Sequence, residues 1–167
     1  MNTIEQLFAK AIGHPLQKVI ASVHLIDRET LSDVPLCLWL FFERVPGLRL
    51  RGSADGWHLE ADEALPDPVD MGESGGIVLR DISRTSIFRQ MLGKKLQGAW
   101  AVESAPEGEV VGMRFDFGLP ITPIVLNWGD ELYIGDTYPP DADEAELLEV
   151  PMWPAHGGPD ESPRGAG

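Results

Sequence analysis

One pattern of residues occurs twice in this chain at a fixed spacing. Leu7-Phe8-x-x-Ala11-Ile12-Gly13-x-x-Leu16-Gln17 matches Ile87-Phe88-x-x-Met91-Leu92-Gly93-x-x-Leu96-Gln97, with an offset of 80 throughout (Phe8 to Phe88, Gln17 to Gln97). In each copy a short apolar stretch at helical spacing ends at a glycine, which accepts the left-handed conformation that closes helices. Further on, Asp55-x-Trp57-x-Leu59 parallels Asp130-x-Leu132-x-Ile134 at an offset of 75 (Asp55 to Asp130). A repeat constrains a fold because each unit buries its apolar face against its neighbour. The pattern predicts an internal duplication of a helix-plus-β-meander unit, with pseudo-repeats at about 3–62 and 83–136.

Element by element, the first helix starts at Thr3, with Gln6 completing a capping box. Ile4, Leu7, Phe8, Ala11 and Ile12 share one face, and Gly13 and Pro15 stop it. Ser83 or Thr85 caps a second helix whose face is Ile87, Phe88, Met91 and Leu92. Strands are predicted over 16–26, 36–43, 48–51, 57–60, 77–79, 96–103, 110–117, 123–128 and 131–134, with a polar loop over 27–34. Pro46-Gly47, Ala54-Asp55-Gly56, Gly108, Gly118-Leu119-Pro120 and Gly129-Asp130 supply the turns. The predicted fold class is therefore α+β, two helices with a predominantly antiparallel sheet, in a single domain over residues 1–136. From Thr137 the composition shifts. Tyr138-Pro139-Pro140 opens an acidic stretch and a Gly/Pro-rich end follows, which predicts a largely disordered tail over 137–167. Leu147, Leu148, Val150, Met152 and Trp153 are the tail residues able to dock.

Charge narrows the partners. The formal net charge is −14, from 27 acidic and 13 basic residues. Phosphate backbones and anionic lipid surfaces require the opposite sign, so the reading is no nucleic acid and no membrane as partners. A basic protein is favoured. No apolar run approaches the ~20 residues of a membrane span. The N-terminus lacks the basic and apolar regions of a signal peptide, and Cys37 is the only cysteine. The expected compartment is the cytoplasm of a bacterial type of cell.

The chain offers little catalytic chemistry. Gly72-Glu73-Ser74-Gly75-Gly76 resembles the nucleophile motif of trypsin-like serine proteases, where Asp and not Glu precedes the serine. Those enzymes also need two β-barrels and a His-Asp pair, so a glycine-rich loop entering a strand is the better reading. Gly93-Lys94-Lys95 lacks the spacing of a phosphate loop. His14, His24, His58 and His156 show no ligand spacing for a metal. His58 after Asp55 allows a His-Asp contact, the one foothold for a hydrolase. The expectation is no catalytic residues, no metal and no cofactor.

The stretch from Gly93 to Asp136, with Gly-x-x-Leu before a strand and a glycine-broken meander ending Gly129-Asp130-Glu131-Leu132-Tyr133-Ile134, resembles small bacterial domains, some of them immunity proteins found beside secreted toxins. The resemblance implies a non-catalytic protein-binding protein that occludes a basic toxin. The candidate recognition residues are Trp57 and Trp128 beside hairpin turns and two acidic sets. The first set is Asp62, Glu63, Asp67 and Asp70; the second is Asp141, Asp143, Glu144 and Glu146. The alternative is a small-ligand-binding or regulatory domain with a pocket between the two halves. A hydrolase built on His58 and Asp55 ranks third.

Overall fold

The computed structural model describes residues 3–27, 31–70 and 75–153, the side chain of Asp70 excepted. Among them, eleven strands form two antiparallel sheets. The first holds β1 (Leu16–Leu25), β2 (Leu31–Phe42), β3 (Leu48–Gly52), β4 (Leu59–Asp62), β5 (Val69–Asp70) and β6 (Gly76–Asp81), in the order β4-β3-β2-β1-β6-β5. The second holds β7 (Gly98–Ser104), β8 (Glu109–Asp116), β9 (Ile124–Trp128), β10 (Glu131–Gly135) and β11 (Leu147–Pro151), in the order β10-β9-β8-β7-β11. No helix among the described residues is long and apolar enough to cross a membrane.

The predicted two-helix α+β class is therefore corrected: 51% of the described residues are strand, and among them there is one short α-helix, α1 (Thr3–Ala9). The expected second helix is a five-residue 3-10 turn, Ile87–Met91. Neither Ser83 nor Thr85 caps it; the Ser86 hydroxyl accepts from the Phe88 N–H. Apolar residues at i, i+1 and i+4 serve one turn of either helix type. The run to Gly93 is too short to recover the nucleation cost of an α-helix. Ile12 and Leu92, assigned to helix faces by spacing, occupy isolated bridge positions instead.

Both sheets share one pattern, a four-strand meander with a later strand returning beside the first, β6 beside β1 and β11 beside β7; the first sheet adds the two-residue β5 outside β6. Leu38 opposes Leu50 as Met113 opposes Val125, and Gly52 opposes Leu59 as Asn127 opposes Leu132. The sheets also exchange hydrogen bonds reciprocally. Gly13 N–H donates to Leu96 O and Gly93 N–H to Leu16 O, both at 2.7 Å. Leu16 N–H donates to Lys94 O at 2.9 Å and Leu96 N–H to His14 O at 3.1 Å. Ile82 N–H reaches Val19 O at 3.0 Å as Met152 N–H reaches Ala99 O at 3.1 Å. The five-strand units thus close at β6 and β11, beyond the limits 62 and 136 read from the sequence.

One apolar core lies between the sheets. Phe8 and Phe88 are both fully buried and both lie against Phe115, with ring centroids 5.5 and 6.4 Å apart. β2 begins at Leu31, inside the expected polar loop. Pro35 sits where the β1–β2 register shifts, an irregularity that accommodates the missing donor.

The expected tail also begins later than composition indicates. β11 pairs along β7, and Met152 is buried. Arg114 fixes the segment to β8: its Nε donates to Glu149 Oε1 at 2.7 Å and its Nη1 to Thr122 Oγ1 at 2.9 Å. Its guanidinium lies 5.6 Å from the Tyr138 ring centroid, and Tyr138 Oη donates to Glu149 Oε1 at 2.6 Å. The rest of the expected tail, 154–167, lies outside the described residues.

Candidate binding pocket

Two equivalent hairpins meet at one end of the sheet pair. In the β9–β10 hairpin, Trp128 opposes Glu131 across Gly129-Asp130, with φ of 64° and 67°. That is the two-residue turn whose twist matches antiparallel strands. The longer β3–β4 hairpin is organised by Asp55, whose Oδ1 accepts from the Trp57 N–H at 2.9 Å, the His58 N–H at 3.1 Å and the Ser53 hydroxyl. The Ser53 hydroxyl contributes most to holding the Asp55 carboxyl below the usual carboxylate range. A Cβ on Gly56 would fall 2.8 Å from Asp130 Oδ1, so the two turns touch.

This meeting brings Trp57 and Trp128 to one cavity of about 370 Å³, lined also by Asn127, Leu126, Val111, Ser104, Leu147, Asp143 and Glu146. Trp57 is 70% exposed and Trp128 39%. Asp143 caps a 3-10 turn (Glu144–Glu146) by accepting from the Ala145 N–H at 3.0 Å, and Ala105 N–H holds Glu146 O at 2.7 Å. The backbone that carries both acids is thereby fixed immediately before β11.

Asn127 is buried in an otherwise apolar strand. Its Nδ2 donates to His58 O at 2.9 Å, which fixes the amide's orientation. Its Oδ1 has no partner among the described residues. Leaving such an acceptor alone costs about 1–3 kcal/mol. The lining holds no basic side chain. It combines indole rings and carboxylates, the chemistry of a site for a cation on an apolar stem.

The sequence-predicted residues separate into groups. Trp57, Trp128, Asp143 and Glu146 line this cavity. Asp141 and Glu144 are exposed and are not among its lining residues, and Asp67 is exposed on the chain leading to β5. Asp62 is engaged internally: Arg49 donates from Nε to Oδ1 at 2.8 Å and from Nη2 to Oδ2 at 2.5 Å. That pair of bonds draws the Asp62 carboxyl below its ordinary value. Glu63 pairs with Lys10 at 2.8 Å. The side chain of Asp70 and all of Ser74 lie outside the described residues. Sequence reasoning missed Asn127; an asparagine inside Ile124-Val125-Leu126-Asn127-Trp128 was the available signal, because buried amides need partners.

His58 forms a second cluster. Its Nδ1 bonds the Asp55 carboxylate and its Nε2 the Glu109 carboxylate, spanning the two sheets. Ser53 lies on the Asp55 side, not opposite it. A hydrolytic triad requires the hydroxyl at the ring nitrogen that faces away from the aspartate. Here Glu109 fills that position, so the cluster acts as a bridge between sheets.

Compared with protein-family models, curated proteins and solved structures, the chain matches none of them.

Proposed function

We propose that this chain is a non-catalytic protein-binding protein for a basic partner. The observation that carries the reading is the convergence of exposed Trp57 and Trp128 with Asp143 and Glu146 on a cavity whose lining has no base. Exposed aromatics anchor interfaces, while like-signed charge around them steers an oppositely charged partner and raises its association rate. The net charge of −14 extends that field beyond the pocket. The resemblance to immunity-type domains makes a basic toxin a partner of this class. The test is co-expression with basic proteins encoded in neighbouring genes, then purification under rising salt. Association that weakens as salt shortens the screening length to ~8 Å, and that fails in Trp57→Ala/Trp128→Ala, supports the reading. Association indifferent to both overturns it.

A second reading, a small-ligand domain, rests on a different cavity of about 620 Å³ between β2 and β10, where Arg80, Asp33, Glu131 and Tyr133 supply polar groups. A thermal shift with small molecules that is abolished by Arg80→Ala would favour it.

A further inference from the structure

We infer that the cavity between Trp57 and Trp128 is a socket for one arginine side chain of the protein partner. The inference rests on the basic-partner reading and names the group the partner inserts.

The indole rings and the acceptors come from separate parts of the fold. Trp57 and Trp128 come from the two touching hairpins, and Asp143 and Glu146 come from the segment before β11. A planar guanidinium carries five donors in a fixed fork, enough to serve dispersed acceptors, and it stacks on indole rings. An ammonium is more strongly hydrated and gives up its water less readily. Leu147 and the two tryptophans offer apolar surface to the methylene stem. A volume of about 370 Å³ stands near the lower end of ligand cavities and suits one long side chain.

The substitutions that test this are mild. Trp57 is 70% exposed, so Trp57→Ala removes little core. Asp143→Asn keeps a side-chain oxygen for the Ala145 N–H, since asparagine caps as well as aspartate. The probes are N-acetyl-arginine methylamide, its neutral isostere N-acetyl-citrulline methylamide, and N-acetyl-lysine methylamide, titrated into the full chain and read by indole N–H resonances. The expected result is saturable binding of the arginine probe, with citrulline about tenfold weaker or worse and lysine several-fold weaker. Trp57→Ala and Asp143→Asn/Glu146→Gln should each weaken the arginine probe about tenfold, with thermal midpoints near wild type. Equal binding of citrulline, equal binding of lysine, or no saturable shift overturns the assignment. If the arginine probe fails while a basic partner still binds in a salt-sensitive way, the socket falls and the basic-partner reading stands. If no basic partner binds either, both fall.

Discussion

Gly52 and Asn127 hold equivalent positions in the two sheets and touch each other: a Cβ on Gly52 would stand 2.8 Å from Asn127 Oδ1 and 2.9 Å from Nδ2. The contact leaves room for a side chain on one of the two strands. Asparagine occupies β9 and glycine yields on β3, which sets the amide against His58 O beneath the tryptophans. Gly52→Ala should therefore destabilise the fold by about 1–3 kcal/mol, the usual cost of overpacking. In an Asn127→Ala background the same change should cost much less. A denaturant double-mutant cycle measures the coupling, expected at about 1 kcal/mol or more for residues in contact.

The reciprocal bonds of Gly13 and Gly93 give a second prediction. Their φ angles are 81° and 76°, and a Cβ at either site would meet nothing within 4 Å. The cost of substitution is then conformational alone. Gly13→Ala and Gly93→Ala should each cost about 1–2 kcal/mol, and the two values should agree closely in urea unfolding. Widely different costs would show that the two junctions are not equivalent.

Alkaline pH should loosen the C-terminal segment. Burial, with the bond to Glu149, pushes the Tyr138 hydroxyl up to about 12. A folded-state value above the unfolded ~10 means the stabilisation is complete below pH 10 and is lost as pH rises towards 12. Tyrosinate absorbance should show a component near 12 that is absent from Tyr138→Phe. That variant should also lose protection of the β11 amides in hydrogen exchange, because Arg114, Glu149 and Tyr138 fix that strand together.

Acid should act through Asp62. Its carboxyl is depressed chiefly by the Arg49 hydrogen bonds. A depressed carboxylate contributes stability that is present above the unfolded ~4 and is lost as pH falls through the lower folded value. Asp62→Asn should flatten that part of the stability-against-pH curve below pH 4, measured by thermal melts; the variant should lose stability at pH 7, modestly because solvent screens the partly exposed pair, and should converge on wild type in acid.

Much of the strand framework is legible because turn chemistry is local: Pro46-Gly47, Gly108 and Gly129-Asp130 each mark a chain reversal. The second helix misleads because Ile87, Phe88 and Met91 satisfy a single 3-10 turn as well as the start of an α-helix. β11 is hidden by its composition; Leu147–Pro151 is an edge strand with a glutamate and a proline, and its pairing with β7 is long-range. Asp62 and Glu63 look free in sequence because Arg49 and Lys10, which pair with them, lie in other elements. The tryptophans and the acids are visible as residues, whereas their convergence requires two hairpins to touch, at Gly56 and Asp130, which no local pattern encodes.

The most direct test follows the indole N–H resonances of the five tryptophans while a basic partner protein is added at low salt. The account predicts that Trp57 and Trp128 shift together and saturate together, while Trp39, whose indole N–H is bonded to Ala64 O at 2.7 Å, stays in place. Binding that leaves Trp57 and Trp128 unmoved would contradict the pocket as the point of contact.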